Sequence, residues 1–98
     1  MREKVVTIRN PLGLHLRTAG MFAQAANRYV SNIYVQKELM KVNAKSIMGV
    51  MMLAAGEGTQ LTIAAEGPDQ EEAIEELTKL VEGGFGERYE PSCVKNET

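Results

Sequence analysis

The single histidine of the sequence, His15, lies in the run Asn10-Pro11-Leu12-Gly13-Leu14-His15-Leu16-Arg17. An alternating, strand-like segment ends near Arg9, Pro11 and Gly13 supply a turn, and a helical pattern starts just after His15. A histidine at a helix start beside an arginine is suited to nucleophilic chemistry. The helix dipole and Arg17 both disfavour an imidazolium, which leaves a neutral ring with a free lone pair. A phosphoryl group taken up there would meet unpaired backbone N–H groups, and the Arg17 guanidinium would add a charge-assisted contact. The residues alone also leave open a plainer reading, a surface histidine near a helix end. Hydrolysis has little support, because no second histidine and no Ser–His or Cys–His arrangement exists to share the work.

Ser46 is the second candidate. It precedes the apolar run Ile47-Met48-Gly49-Val50-Met51-Met52, where serine is a favoured N-cap, and capping alone would account for it. Phosphorylation there would place a dianion at a helix start next to Lys45. A helix of about two turns cannot bury all of Ile47, Met48, Val50, Met51, Met52 and Leu53. Some must face solvent, and adaptable methionines suit a surface that accepts several partners. Gly20, inside the first helix, costs roughly 1 kcal/mol relative to alanine and points to a flat contact surface.

The elements that position these residues follow from periodicity. Val6 and Ile8 alternate with Val5 and Thr7, Ile33 and Val35 with Tyr34 and Gln36, and Leu61, Ile63 and Ala65 with Gln60, Thr62 and Glu66. Met40 to Asn43 adds a short fourth strand after a turn near Glu38. From residue 16, Ala19, Phe22, Ala23, Ala26 and Val30 share one helical face, leaving Gln24, Asn27 and Arg28 for solvent. Ser46 to Ala55 reads as a short helix. Asp69 with Glu72 forms a capping pattern for a last helix, whose buried stripe is Ala73, Ile74, Leu77, Leu80 and Val81 and whose end is Gly83-Gly84. The order β-α-β-β-α-β-α predicts an α+β domain with helices on one side of a largely antiparallel sheet.

Composition narrows the function classes. The 98 residues carry 11 Lys plus Arg and 13 Asp plus Glu, so the net charge is −2. Residues 1–49 hold eight basic groups and two acids, whereas residues 50–98 hold three and eleven. The basic half predicts an anionic partner, and Arg17 and Lys45 within it flank the two candidate phosphate positions. A nucleic-acid groove is the remote alternative: the aromatics are only Phe22, Phe85, Tyr29, Tyr34 and Tyr89, few for base stacking. No apolar run approaches the roughly 20 residues of a membrane span, and Met1-Arg2-Glu3-Lys4 does not open a signal peptide. The lone Cys93 predicts a reducing, cytoplasmic setting, and one His with one Cys cannot build a structural zinc site, so no metal or other cofactor is expected. Residues 1–86 are expected to form one domain and residues 87–98, polar and without periodicity, a mobile tail.

Three blocks now resemble a known family: Gly13-Leu14-His15-Leu16-Arg17, Val42-Asn43-Ala44-Lys45-Ser46-Ile47-Met48-Gly49-Val50-Met51, and Leu61-Thr62-Ile63-Ala64-Ala65-Glu66-Gly67. Together they are similar to HPr, the histidine-containing phosphocarrier of the bacterial phosphoenolpyruvate-dependent sugar phosphotransferase system. The resemblance spans about residues 3 to 88. It implies an open-faced β-sandwich, a four-stranded antiparallel sheet covered on one side by three helices. It also implies a monomeric carrier rather than an enzyme. Phospho-enzyme I would phosphorylate His15 on Nδ1 with help from Arg17, and the group would pass to a histidine of an enzyme II A component. Ser46 matches a serine that an HPr kinase/phosphorylase modifies in many relatives, in communication with a catabolite-repression regulator. The family's partner surface corresponds to Leu16, Gly20, Gln24, Ile47, Met48 and Met51. Neither nucleic acid nor membrane is an implied partner. An alternative within the same resemblance is a regulatory paralogue serving an incomplete or nitrogen-type branch. The usual His-x-Arg-Pro reads His15-Leu16-Arg17-Thr18 here, which restores an N–H donor and loosens the φ constraint that proline imposes.

Overall fold

The computed structural model describes residues 1–87. The elements are β1 (Arg2–Thr7), α1 (Leu16–Ala26), β2 (Asn32–Lys37), β3 (Met40–Asn43), α2 (Ile47–Met52), β4 (Gln60–Glu66) and α3 (Gln70–Glu82), followed by a 3-10 turn, Gly84–Gly86. The expected order is therefore observed. The four strands form one antiparallel sheet in the order β1-β4-β2-β3.

Strand alternation decides which face of the sheet is dry. Val6, Ile8, Ile33, Val35, Leu61, Ile63 and Ala65 are all buried, while Val5 on the opposite face of β1 is 56% exposed. The helices cover the dry face: α3 packs on β1 and β4, and α1 packs against α2 and α3. Phe22 from α1, Leu77 and Val81 from α3 and Phe85 from the 3-10 turn complete a single core. Leu80, expected in the stripe of α3, is only half-buried and packs against the core's edge.

Two local expectations are corrected. Val30 does not belong to the α1 stripe. The helix ends at Ala26 with Asn27 as its C-cap, and Val30 is 73% exposed. The cause is Asn27, whose backbone N–H and side-chain Nδ2 both take the Ala23 carbonyl, and whose Nδ2 also reaches the Lys45 carbonyl. Asp69 likewise does not cap α3 with its side chain. Its carboxylate reaches across the fold, accepting from the N–H groups of Val30 and Ser31 at 3.0 Å each and from the Ser31 hydroxyl at 2.5 Å. Gln70 takes over locally, its Oε1 accepting from the Gly67 N–H. Asp69 thus fastens the α1–β2 connection to the start of α3. Three charge-assisted donors hold its carboxyl below the usual range, the Ser31 hydroxyl foremost, against the opposing effect of burial.

The loop between β1 and α1 is held at both ends. Glu82, in the last turn of α3, accepts from the Thr7 N–H and from Arg9 Nε, which fixes the exit of β1. At the other end, Leu14 N–H donates to the Ala55 carbonyl at 2.8 Å. Gly13 sits there at φ +68°, and a Cβ at that position would strike the Ala55 carbonyl oxygen. This close approach requires glycine.

Candidate functional site

His15 is the N-cap of α1, in extended conformation, as the turn-then-helix reading anticipates. Its ring is one-third exposed. Nδ1 accepts from the Arg17 backbone N–H at 3.3 Å, and Nε2 lies 3.0 Å from Glu87 Oε2. An acceptor at Nδ1 and a carboxylate at Nε2 select one neutral tautomer. That tautomer carries its proton on Nε2 and directs the Nδ1 lone pair toward the N-terminus of α1.

Glu87 was counted with the tail from sequence, yet it is the centre of the site. Its Oε2 accepts from Arg17 Nη2 at 2.5 Å as well as facing His15, and its Oε1 accepts from Asn10 Nδ2 at 2.9 Å. Its side chain is only 16% exposed. Burial alone would raise the Glu87 carboxyl. Hydrogen bonds from Arg17, Asn10 and His15 and the Arg17 charge outweigh it and hold the group below the usual carboxylate range. The chain reaches this place because Gly84 and Gly86 turn it back at positive φ while Phe85, buried at φ +58°, anchors it. A buried phenylalanine within a polar, aperiodic stretch was the available sign that the fold continues past α3. Residues 88–98, with Cys93 and the rest of the expected tail, lie outside the described residues.

Thr18 ties the first turn to the preceding loop through its hydroxyl. It is fully buried, and its Oγ1 accepts from the His15 N–H at 3.0 Å and donates to the Gly13 carbonyl at 2.8 Å. Asn10 Nδ2 reaches the same carbonyl at 2.8 Å. Neither contact has a sequence signature beyond the presence of short polar side chains near a helix start.

Ser46 caps α2, its Oγ accepting from the Gly49 N–H at 3.0 Å. The expected neighbour Lys45 points elsewhere: its Nζ donates to the Tyr29 carbonyl at 2.7 Å. A free cation beside Ser46 is therefore not what the fold supplies. The opposite end of α2 is tied by Lys37 Nζ, 3.0 Å from the Leu53 carbonyl.

The packing of α1 against α2 brings the expected contact residues into one region. Leu16 is 68% and Met48 71% exposed, Ile47 and Gln24 are exposed as well, and among the described residues a Cβ at Gly20 would meet nothing within 4 Å. Met51 departs from this set, because it is half-buried and packs against the core. Met52, one of the residues that the short helix cannot all bury, is exposed, and so is Leu12, which was not singled out from sequence.

Residues 2–83 match the family of the phosphotransferase-system HPr component, described by its phosphorylation site. The chain belongs to the HPr family. Among HPr relatives it is 45% identical over 87 residues to the phosphocarrier protein HPr of Neisseria meningitidis, covering 89% of this chain and 98% of the relative. It is 48% identical over 82 residues to the HPr-like protein Crh of Halalkalibacterium halodurans, covering 84% and 98%. The crystal structure of HPr-C-His from Thermoanaerobacter tengcongensis superposes with a TM-score of 0.87 at 47% identity, over 91% of this chain and all of that one. The open-faced sandwich expected from the sequence is thus the HPr fold.

Proposed function

We propose that this chain accepts a phosphoryl group from phospho-enzyme I on Nδ1 of His15 and passes it to a histidine of an enzyme II A component. In this reading it is a carrier without turnover of its own. The observation that carries it is the two-sided hold on the His15 ring. Glu87 keeps the proton on Nε2, so the Nδ1 lone pair is the nucleophile. As the Nδ1–P bond forms, the N–P bond of the donor phosphohistidine breaks, and the electron pair leaves with the donor imidazole. No proton has to move at His15. The ring becomes cationic with hydrogen on Nε2, and the Glu87 carboxylate balances that charge. The Arg17 N–H, released from Nδ1, faces the phosphoryl oxygens with the other free N–H groups of the first turn. The Arg17 guanidinium is held on Glu87, on the Nε2 side of the ring, and supplies positive charge to the transferring group only by leaving that carboxylate.

The exposed apolar region of Leu16, Gly20, Gln24, Ile47 and Met48 adjoins this site and is proposed as the docking face for both partners. The decisive test adds enzyme I and phosphoenolpyruvate to the protein. An acid-labile adduct of about 80 Da that is lost in His15→Ala is expected; no adduct, or an equal adduct on the variant, contradicts the reading.

A second, regulatory role at Ser46 rests on its half-buried hydroxyl, which among the described residues accepts one hydrogen bond and donates none. Incubation with ATP and an HPr kinase/phosphorylase is expected to give an acid-stable phosphate that Ser46→Ala abolishes. Without that phosphate Ser46 is a cap alone.

A further inference from the structure

We infer that Asn10 and Thr18 form a clamp on the Gly13 carbonyl that positions His15 for phosphoryl transfer, an inference that rests on the carrier function proposed above. The Gly13 oxygen receives Asn10 Nδ2 and Thr18 Oγ1, each at 2.8 Å, so both of its lone pairs are used. Thr18 then links that carbonyl to the reacting residue, since the same Oγ1 accepts from the His15 N–H at 3.0 Å. Asn10 makes a second link, from its remaining N–H to Glu87 Oε1, whose partner oxygen faces His15 Nε2. The His15 backbone and the far side of its ring are therefore both referred to one fixed oxygen.

The cost of the arrangement argues for its purpose. Asn10 is 1% exposed, and its Oδ1 is buried with no hydrogen-bond partner among the described residues. Buried polar atoms are almost always satisfied, and an orphan is tolerated where the group's other contacts matter more. Asn10 spends its amide on two acceptors, Gly13 and Glu87, and both contact the phosphorylation site rather than the core. Proline at position 18 would hold the turn through its ring; threonine holds it through hydrogen bonds that reach His15 directly. Position 18 here is a positioning residue.

A device of this kind acts on the transfer step more than on docking, because it sets where the nucleophile stands. The test uses Thr18→Val, which keeps the shape and removes the hydroxyl, with Thr18→Ala as the alternative if valine impairs folding. Single-turnover transfer from phospho-enzyme I is expected to slow by about tenfold in both, with KM within about twofold of wild type. Thr18→Ser restores the hydroxyl and is expected to recover the rate. The 15N shifts of the His15 ring in the unphosphorylated protein provide a readout independent of enzyme I. They are expected to show the Nε2–H tautomer in the wild type and Thr18→Ser, and a tautomer mixture in Thr18→Val. Wild-type rates and shifts in folded Thr18→Val, or equal slowing in Thr18→Ser, would overturn the clamp. A wild-type protein that takes no phosphoryl group would instead overturn the carrier reading, while the ring shifts still decide the clamp.

Discussion

Replacing Glu87 by glutamine keeps the shape of the site and deletes one charge; with Arg17 retained beside the new side chain, two effects of that charge oppose each other. The carboxylate attracts the ring that becomes cationic, with Oε2 only 3.0 Å from Nε2. It also repels the incoming phosphoryl group on the other side of the ring. With the ring charge centred about 4 Å away and an effective dielectric of about 40 for this partly exposed site, the attraction is about 2 kcal/mol. A metaphosphate-like transition state carries about one negative charge, and at about 7 Å its repulsion is near 1 kcal/mol. Attraction wins by about 1 kcal/mol, a factor of about five in rate. Glutamine can also turn its amide nitrogen toward Nε2, which weakens the tautomer preference in the same direction. Rapid-quench measurement with phospho-enzyme I is therefore expected to show Glu87→Gln transferring phosphate about five- to tenfold more slowly than wild type. A rate equal to wild type would refute the assignment of Glu87 to the ring, and a faster rate would show that repulsion dominates.

Other outcomes follow from the same geometry. Phe85→Ala removes a buried anchor and is expected to cost about 3–5 kcal/mol of stability, read by urea unfolding, and to slow phosphoryl transfer as Glu87 is released. Met48→Glu, at a residue 71% exposed, should leave Tm nearly unchanged while raising KM for phospho-enzyme I by about tenfold; an unchanged KM would remove Met48 from the docking face. Asp69, Glu82 and Glu87 all have lowered carboxyl pKa values in the fold, so the stability they add is full above their unfolded values. It is lost as pH falls through the lowered folded values, so Tm measured by circular dichroism should be flat near neutrality and fall below about pH 4.5, less steeply in Asp69→Asn.

The sheet and helices were legible because their apolar residues follow periods of two and 3.6 without interruption. The short helix α2 was legible from Ser46 and the apolar run behind it. The errors around Asp69, Lys45 and Glu87 share one physical cause, polar side chains acting at long range. Asp69 sits where a cap belongs, with Glu72 at the right spacing, yet its partners are Val30 and Ser31, nearly 40 residues away in sequence. Lys45 adjoins Ser46 in the chain, and its ammonium goes to Tyr29. Glu87 lies 72 residues from His15, in a segment with no periodicity to announce it. Hydrogen-bond partners of this kind leave no pattern in one sequence, whereas His15, Arg17 and the turn before them lie within a few residues of one another. The nucleophile was therefore readable, and the groups that orient it were not.

The most direct measurement is NMR of the phosphorylated protein with 15N in the His15 ring, prepared with enzyme I and phosphoenolpyruvate. The account predicts a 15N–31P coupling at Nδ1, with the proton retained on Nε2 next to Glu87. Phosphorus on Nε2, or none on His15, would contradict it.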